Sequence, residues 1–176
     1  CTAAVEGFGK VGAPLAGLLS REGVKVVAVS TLLGALYNPG GLDVERLVKL
    51  AGDTGSGVVG AYSDAQALDR RSLVELPVDI LCPCARHNSI ARANAPKVKA
   101  RVVCGGANNP VMPDARGILE SQGTLVVPDF VSNCGGVLGG TMEFASMRPP
   151  EISAFIDTEL AGPIRGILVR AERDLE

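Results

Sequence analysis

Residues 2–12 (TAAVEGFGKVG) constrain this chain more than any other stretch. A short apolar run leads into Gly7, Gly9 and Gly12 at GxGxxG spacing, and a helical pattern follows at once. The first glycine permits a tight turn after a strand. The second lets backbone approach a pyrophosphate with no Cβ in the way. The third lets the helix pack close to the strand. That helix aims free N–H groups and the positive end of its dipole at the same point, which favours a bound anion. Together these residues read as a dinucleotide-binding βαβ unit.

The rest of the chain can accommodate such a unit. Its 176 residues suit one α/β domain with a full core. Apolar residues make up 47% and aromatics 3%, and Val, Ala, Leu and Gly dominate, as in buried parallel strands covered by helices. A net charge of −2 with no basic face argues against nucleic acid as a partner. Apolar runs are short and broken by Gly, Pro or charge, so neither a membrane span nor a signal peptide is expected. Five cysteines without framework spacing point to a reducing, cytoplasmic setting. The chain starts with Cys1, already inside a strand, which suggests a piece of a longer polypeptide.

Strand and helix patterns alternate along the sequence. Strands are expected at 2–6, 25–30, 78–83, 101–104 and 124–127, with a short Val-containing strand after a Gly/Ser-rich loop at 52–60. Helices are expected at 10–22, 42–51, 89–95 and 114–122, and a short one from a Ser63/Gln66 capping pattern. Gly135-Gly136 reads as a turn, and 152–176 as one or two amphipathic helices. The fold class is α/β: a doubly wound, mostly parallel Rossmann sheet with helices on both faces. A sheet domain over 1–148 would be followed by a helical segment over 149–176, packing on it or on a neighbour. Ligands of such sheets bind at the carboxyl ends of the strands. The loops after residues 6, 30, 83, 104 and 127 are therefore the ones to watch. Asn88, Asn108 and Asn133 sit on three of them, and amides suit a carboxamide and ribose hydroxyls.

Other reactive residues read as structural. His87 is a loop histidine. Cys82, Cys84 and Cys104 lack zinc-knuckle spacing and read as small core residues, so no metal is expected. Cys134 carries a thiol beside a helix start. Asp129 reads as a helix N-cap rather than a base.

The blocks GFGKVG, KVVAVS, ALYNPGGLD, VDILCPCARHNSI, GGANNPVMPDA, VVPDFVSNCGGV and MEF resemble the cofactor-binding domain of the glutamate/leucine/phenylalanine/valine dehydrogenase family, its glutamate-specific branch above all. The resemblance implies NAD(P)-dependent oxidative deamination of an L-amino acid to a 2-oxo acid and ammonia. It also implies a homo-oligomer for the intact enzyme. By this resemblance Gly7, Phe8, Gly9, Lys10, Val11 and Gly12 contact the pyrophosphate, and Ser30 and Thr31 lie near the adenosine ribose. Ala85, Arg86 and Asn88 border the adenosine and nicotinamide ribose, and Asn108 the nicotinamide ribose. Asn133, with Gly135 and Gly136, faces the nicotinamide and the substrate, and Gly140 and Thr141 stand beside the substrate.

Three departures accompany it. The family's catalytic Lys and Asp lie in a domain absent from these residues, so no catalytic residue is expected in this chain. Thr31 stands where relatives often carry Asp, and no Arg or Lys adjoins it in sequence, so the choice between NAD and NADP stays open. Gly140 replaces a serine of glutamate-specific relatives, which leaves the amino acid open too. The alternative reading is a non-catalytic nucleotide-sensing module that kept the fold.

Overall fold

The computed structural model describes residues 1–166. Among them seven strands form one sheet: β1 (Thr2–Glu6), β2 (Lys25–Thr31), β3 (Gly34–Tyr37), β4 (Gln66–Leu68), β5 (Ile80–Pro83), β6 (Val102–Cys104) and β7 (Leu125–Val127). Their order is β4-β3-β2-β1-β5-β6-β7. The five strands from β2 to β7 in that order are parallel, whereas β3 and β4 are antiparallel additions at one edge. The direction of winding reverses at β1, which has β2 on one side and β5 on the other. At such a switch point the connections leave the carboxyl ends of the strands toward opposite faces, and the crevice for a ligand lies there.

Each face of the sheet has its own core. One packs Val5, Val26, Val29 and Leu36 against α1 (Gly12–Arg21), α2 (Val44–Thr54) and α3 (Val58–Ala61). The other packs Ala4, Val27, Ala28, Leu81 and Val103 against α4 (Pro113–Ser121) and two short 3-10 turns, Arg70–Glu75 and Ala95–Lys97. The run from Val26 to Val29 is apolar because β2 is covered there on both faces. Val27 and Ala28 share a face because the register between β1 and β2 slips by one residue there.

Several local expectations give way to packing. The Gly52–Gly60 stretch is not a loop leading to a strand. Helix α2 runs on to Thr54, a 3-10 turn follows at Gly55–Gly57, and α3 buries Val58 beneath the sheet. The Ser63/Gln66 pattern caps no helix: Gln66–Leu68 pairs with β3, and the Ser63 hydroxyl donates to Asp64. Residues 89–94 are not helical, because Asn94 competes for their backbone. Its carbonyl accepts from the Ala91 N–H at 2.8 Å and its amide donates to the Ser89 carbonyl at 2.9 Å.

By contacts the chain divides into two compact units, Cys1–Ser132 and Asn133–Glu176. The first ends with the short α5 (Asp129–Ser132). The second holds α6 (Cys134–Phe144), α7 (Pro149–Phe155) and a π-helical stretch at Ile156–Ala161. Gly135-Gly136 is thus helix rather than turn, lying in the first turn of α6, which also carries Gly139 and Gly140. Pro149 and Pro150 open α7, where a missing N–H costs nothing, and the Glu151 carboxylate caps it by accepting from the Arg148 N–H at 2.9 Å. The part of the expected C-terminal helix over 167–176 lies outside the described residues. Among the described residues no helix is long and apolar enough to cross a membrane.

Candidate functional site

The glycine loop between β1 and α1 is clipped to the end of β2. The Gly7 N–H donates to the Ser30 hydroxyl at 3.1 Å, and the Phe8 N–H to the Ser30 carbonyl at 2.6 Å. The three glycines divide the labour. Gly7 has φ +94°, and a Cβ there would sit 2.7 Å from the Ala85 backbone. A Cβ on Gly12 would strike the Gly7 carbonyl oxygen. Gly9 alone faces open space, with no atom within 4 Å of where its Cβ would be. Gly7 and Gly12 therefore shape the loop, and Gly9 leaves a bare surface. No side chain caps α1, so its first N–H groups lie beside that surface without a side-chain acceptor.

The loop forms one wall of a cleft of about 830 Å³. Gly7, Phe8, Gly9, Lys10, Val11, Ser30, Thr31, Ala85, Arg86 and Asn88, ten of the expected cofactor residues, line it. Their roles differ. Phe8 is buried in the core against α1 and α2, so it offers backbone rather than ring. Ser30 is buried and its hydroxyl is spent on Gly7. The Thr31 hydroxyl donates to the Ser56 carbonyl at 3.0 Å and accepts from the Leu33 N–H at 3.2 Å. Asn88 has φ +56°, and its N–H donates to the Asn109 carbonyl at 2.8 Å.

Other expected residues lie elsewhere. Gly12 is buried behind the loop and does not line the cleft. Asn108 is exposed on the loop after β6, also outside it. Asn133 is the N-cap of α6, and Gly136, Gly140 and Thr141 lie within that helix, all in the second unit. The Thr141 hydroxyl donates to the Val137 carbonyl one turn back, at 2.9 Å. Asp129 opens α5, and its carboxylate accepts from the Asn109 N–H at 2.7 Å.

Sequence reading missed Glu6, Ser56, Arg70 and Arg71, all of which line the cleft. The 3-10 turn at Arg70–Glu75 crosses from the antiparallel edge to β5 and carries the arginine pair with it. Only the Arg-Arg doublet itself hinted at this. Glu6, at the end of β1, is mostly buried. Burial pushes its pKa above the usual carboxylate value, against the lowering pull of a Ser89 hydrogen bond and the Arg86 and Arg70 charges. Its Oε2 is buried without a partner among the described residues.

Cys82, Cys84 and Cys104 are not poised for nucleophilic attack. Burial pushes Cys84 up to about 11, and Cys82 and Cys104 upward as well. His87 is exposed outside the cleft. Among the described residues no group of three or more His, Cys, Asp or Glu is placed to hold a metal ion.

A bare glycine surface, an uncapped helix start and a cation-lined cleft at a sheet switch point have counterparts among known proteins. The family profile described as Glutamate/Leucine/Phenylalanine/Valine dehydrogenase matches residues 1–153. The chain belongs to this family. It is 47% identical over 137 residues to glutamate dehydrogenase of Thermotoga maritima, covering 77% of this chain and 32% of the relative. It is 40% identical over 147 residues to glutamate dehydrogenase of Aeropyrum pernix, covering 84% of this chain and 35% of that protein. Among solved structures, the hetero-hexameric glutamate dehydrogenase of Thermus thermophilus in its Leu-bound form aligns over 98% of this chain and 41% of its own. The TM-score is 0.82 and the identity 32%. The chain thus spans about a third of the length of the curated relatives it matches.

Proposed function

We propose that this chain is the dinucleotide-binding part of an NAD(P)-dependent amino-acid dehydrogenase, which oxidatively deaminates an L-amino acid to a 2-oxo acid and ammonia. The observation that carries the reading is the bare backbone at Gly9. It faces a cation-lined cleft at the switch point and is held there by the Ser30 clip. The residues present fit a pyrophosphate. Gly9, Lys10 and Val11 supply N–H groups at the uncapped helix start, and the Lys10 ammonium adds a positive charge. When bound, the nicotinamide cofactor supplies hydride chemistry. The protein's share is to hold, orient and exclude water. The names of the relatives support an amino-acid substrate. Because those relatives are far longer than this chain, the catalytic acid–base groups are proposed to lie outside these residues. Asn133, Gly136, Gly140 and Thr141 are proposed to approach the substrate in the whole enzyme. An oligomeric, cytoplasmic enzyme completes the reading.

Calorimetric titration with NAD and NADP tests it. At least one should bind in the micromolar to millimolar range. Gly9→Val should leave the unfolding free energy within about 0.5 kcal/mol of wild type, since its Cβ meets open space. It should nonetheless weaken binding by at least about a hundredfold by closing off the anion surface. Unchanged binding by Gly9→Val would remove the loop from the site.

A further inference from the structure

The end of β2 decides which adenosine ribose a cleft of this kind accepts. A carboxylate there pairs with a free 2′-hydroxyl, whereas guanidinium groups nearby pair with a 2′-phosphate. In this chain β2 ends in Thr31, whose hydroxyl is already held between the Ser56 carbonyl and the Leu33 N–H. No carboxylate stands on this lip among the described residues. The cleft contains two, Glu6 and Glu75, and Glu75 is paired with Lys97 at 3.3 Å.

Arg70 and Arg71 line the same cleft as Thr31. They sit on a firm base: Leu73 and Val74 of their own turn are buried in the core beside Ala28 of β2. The Asp69 carboxylate accepts from the Arg71 backbone N–H at 2.8 Å and forms no ion pair with either guanidinium among the described residues. Neither guanidinium has a hydrogen-bond or ion-pair partner within bonding distance among the described residues. The Arg70 charge acts on Glu6, which Arg86 and Ser89 face as well. Two forked cations without a hydrogen-bond or ion-pair partner, in the same cleft as an uncharged strand end, are suited to a phosphate monoester.

We infer that Arg70 and Arg71 form a phosphate-monoester subsite beside Thr31, so that the cleft takes NADP(H) in preference to NAD(H). The inference rests on the dinucleotide reading of the same cleft and adds the choice between cofactors.

The test is the ratio of NADP to NAD affinity, measured by calorimetry on the wild type, Arg70→Ala/Arg71→Ala and Thr31→Asp. Wild type should favour NADP by at least about tenfold, the size of one or two hydrogen bonds to a charged group. The double alanine variant should bring the ratio down about tenfold or more, and Thr31→Asp should push it toward NAD. The two variants act at different elements, so a folding defect in one, seen by circular dichroism, leaves the other to decide. Equal or stronger binding of NAD by wild type would overturn the inference while the dinucleotide reading stands. So would a double variant that weakens both cofactors alike. If neither dinucleotide binds, both readings fall.

Discussion

Glu6 shows how much of this site lies beyond a one-dimensional reading. The neighbouring Gly7, Gly9 and Gly12 are legible because their reasons are steric and local: a turn, a clear approach and a tight helix contact. Nothing in the sequence around Glu6 says that its carboxyl will be buried between Arg86 and Ser89 on one segment and Arg70 on another. That environment gives a signed pH effect. Burial raises the folded-state pKa above 4.5, so the fold favours the protonated form. The stability this contributes is complete below about pH 4.5 and is lost as the pH climbs through the raised folded value. Glu6→Gln keeps the shape without the charge. Urea unfolding should show the variant and wild type close together at pH 4. At pH 8 the variant should be the more stable, by on the order of 1 kcal/mol. A variant less stable than wild type at pH 8 would mean that the arginines welcome the ionised carboxylate and that burial does not dominate.

At the scale of elements, strands that are apolar on both faces were plain in sequence. KVVAVS and VDILCP need no partner to be recognised, because only buried parallel strands carry such runs. β3 and β4 could not be read this way. Each has three or four residues: β3 exists because β2 and β4 supply its hydrogen bonds, and β4 because β3 does. The same blindness explains α6: Gly135, Gly136, Gly139 and Gly140 argue locally for a turn, yet the helix forms and sets Gly139 against Ile152 of α7. Helix α2 is the reverse case, with its start written in sequence. Asp43 caps it, accepting from the Arg46 N–H at 3.0 Å, and the Tyr62 hydroxyl accepts from the Asp43 N–H at 3.0 Å. Asp43→Ala should cost about 1 kcal/mol in urea unfolding, the usual worth of an N-cap. The neighbouring pair Arg46–Asp64 is exposed and should matter less. An Asp43→Ala midpoint equal to wild type would mean that the Tyr62 contact alone holds the helix start.

For the molecule as a whole, net charge and site charge point in opposite directions. The protein carries −2 overall, yet Lys10, Arg70, Arg71 and Arg86 line the cleft without an ion-pair partner among the described residues. Charge totals read from sequence argue against a nucleic-acid surface but could not show this concentration, because these cations come from separate segments. A cation-lined concavity in an anionic protein draws anions toward itself and away from the rest of the surface. Neutral N–H groups at the α1 start would hold a pyrophosphate with little regard to salt, whereas exposed cations would not. Screening shortens from about 10 Å at 0.1 M to about 3 Å at 1 M ionic strength, so affinity carried by the cations should fall steeply over that range. NADP should lose affinity more steeply than NAD, since it adds a phosphate opposite Arg70 and Arg71. Titrations across a series of salt concentrations give the two slopes directly. Parallel slopes would place the extra phosphate away from the arginines, and flat ones would leave the helix start as the sole anchor.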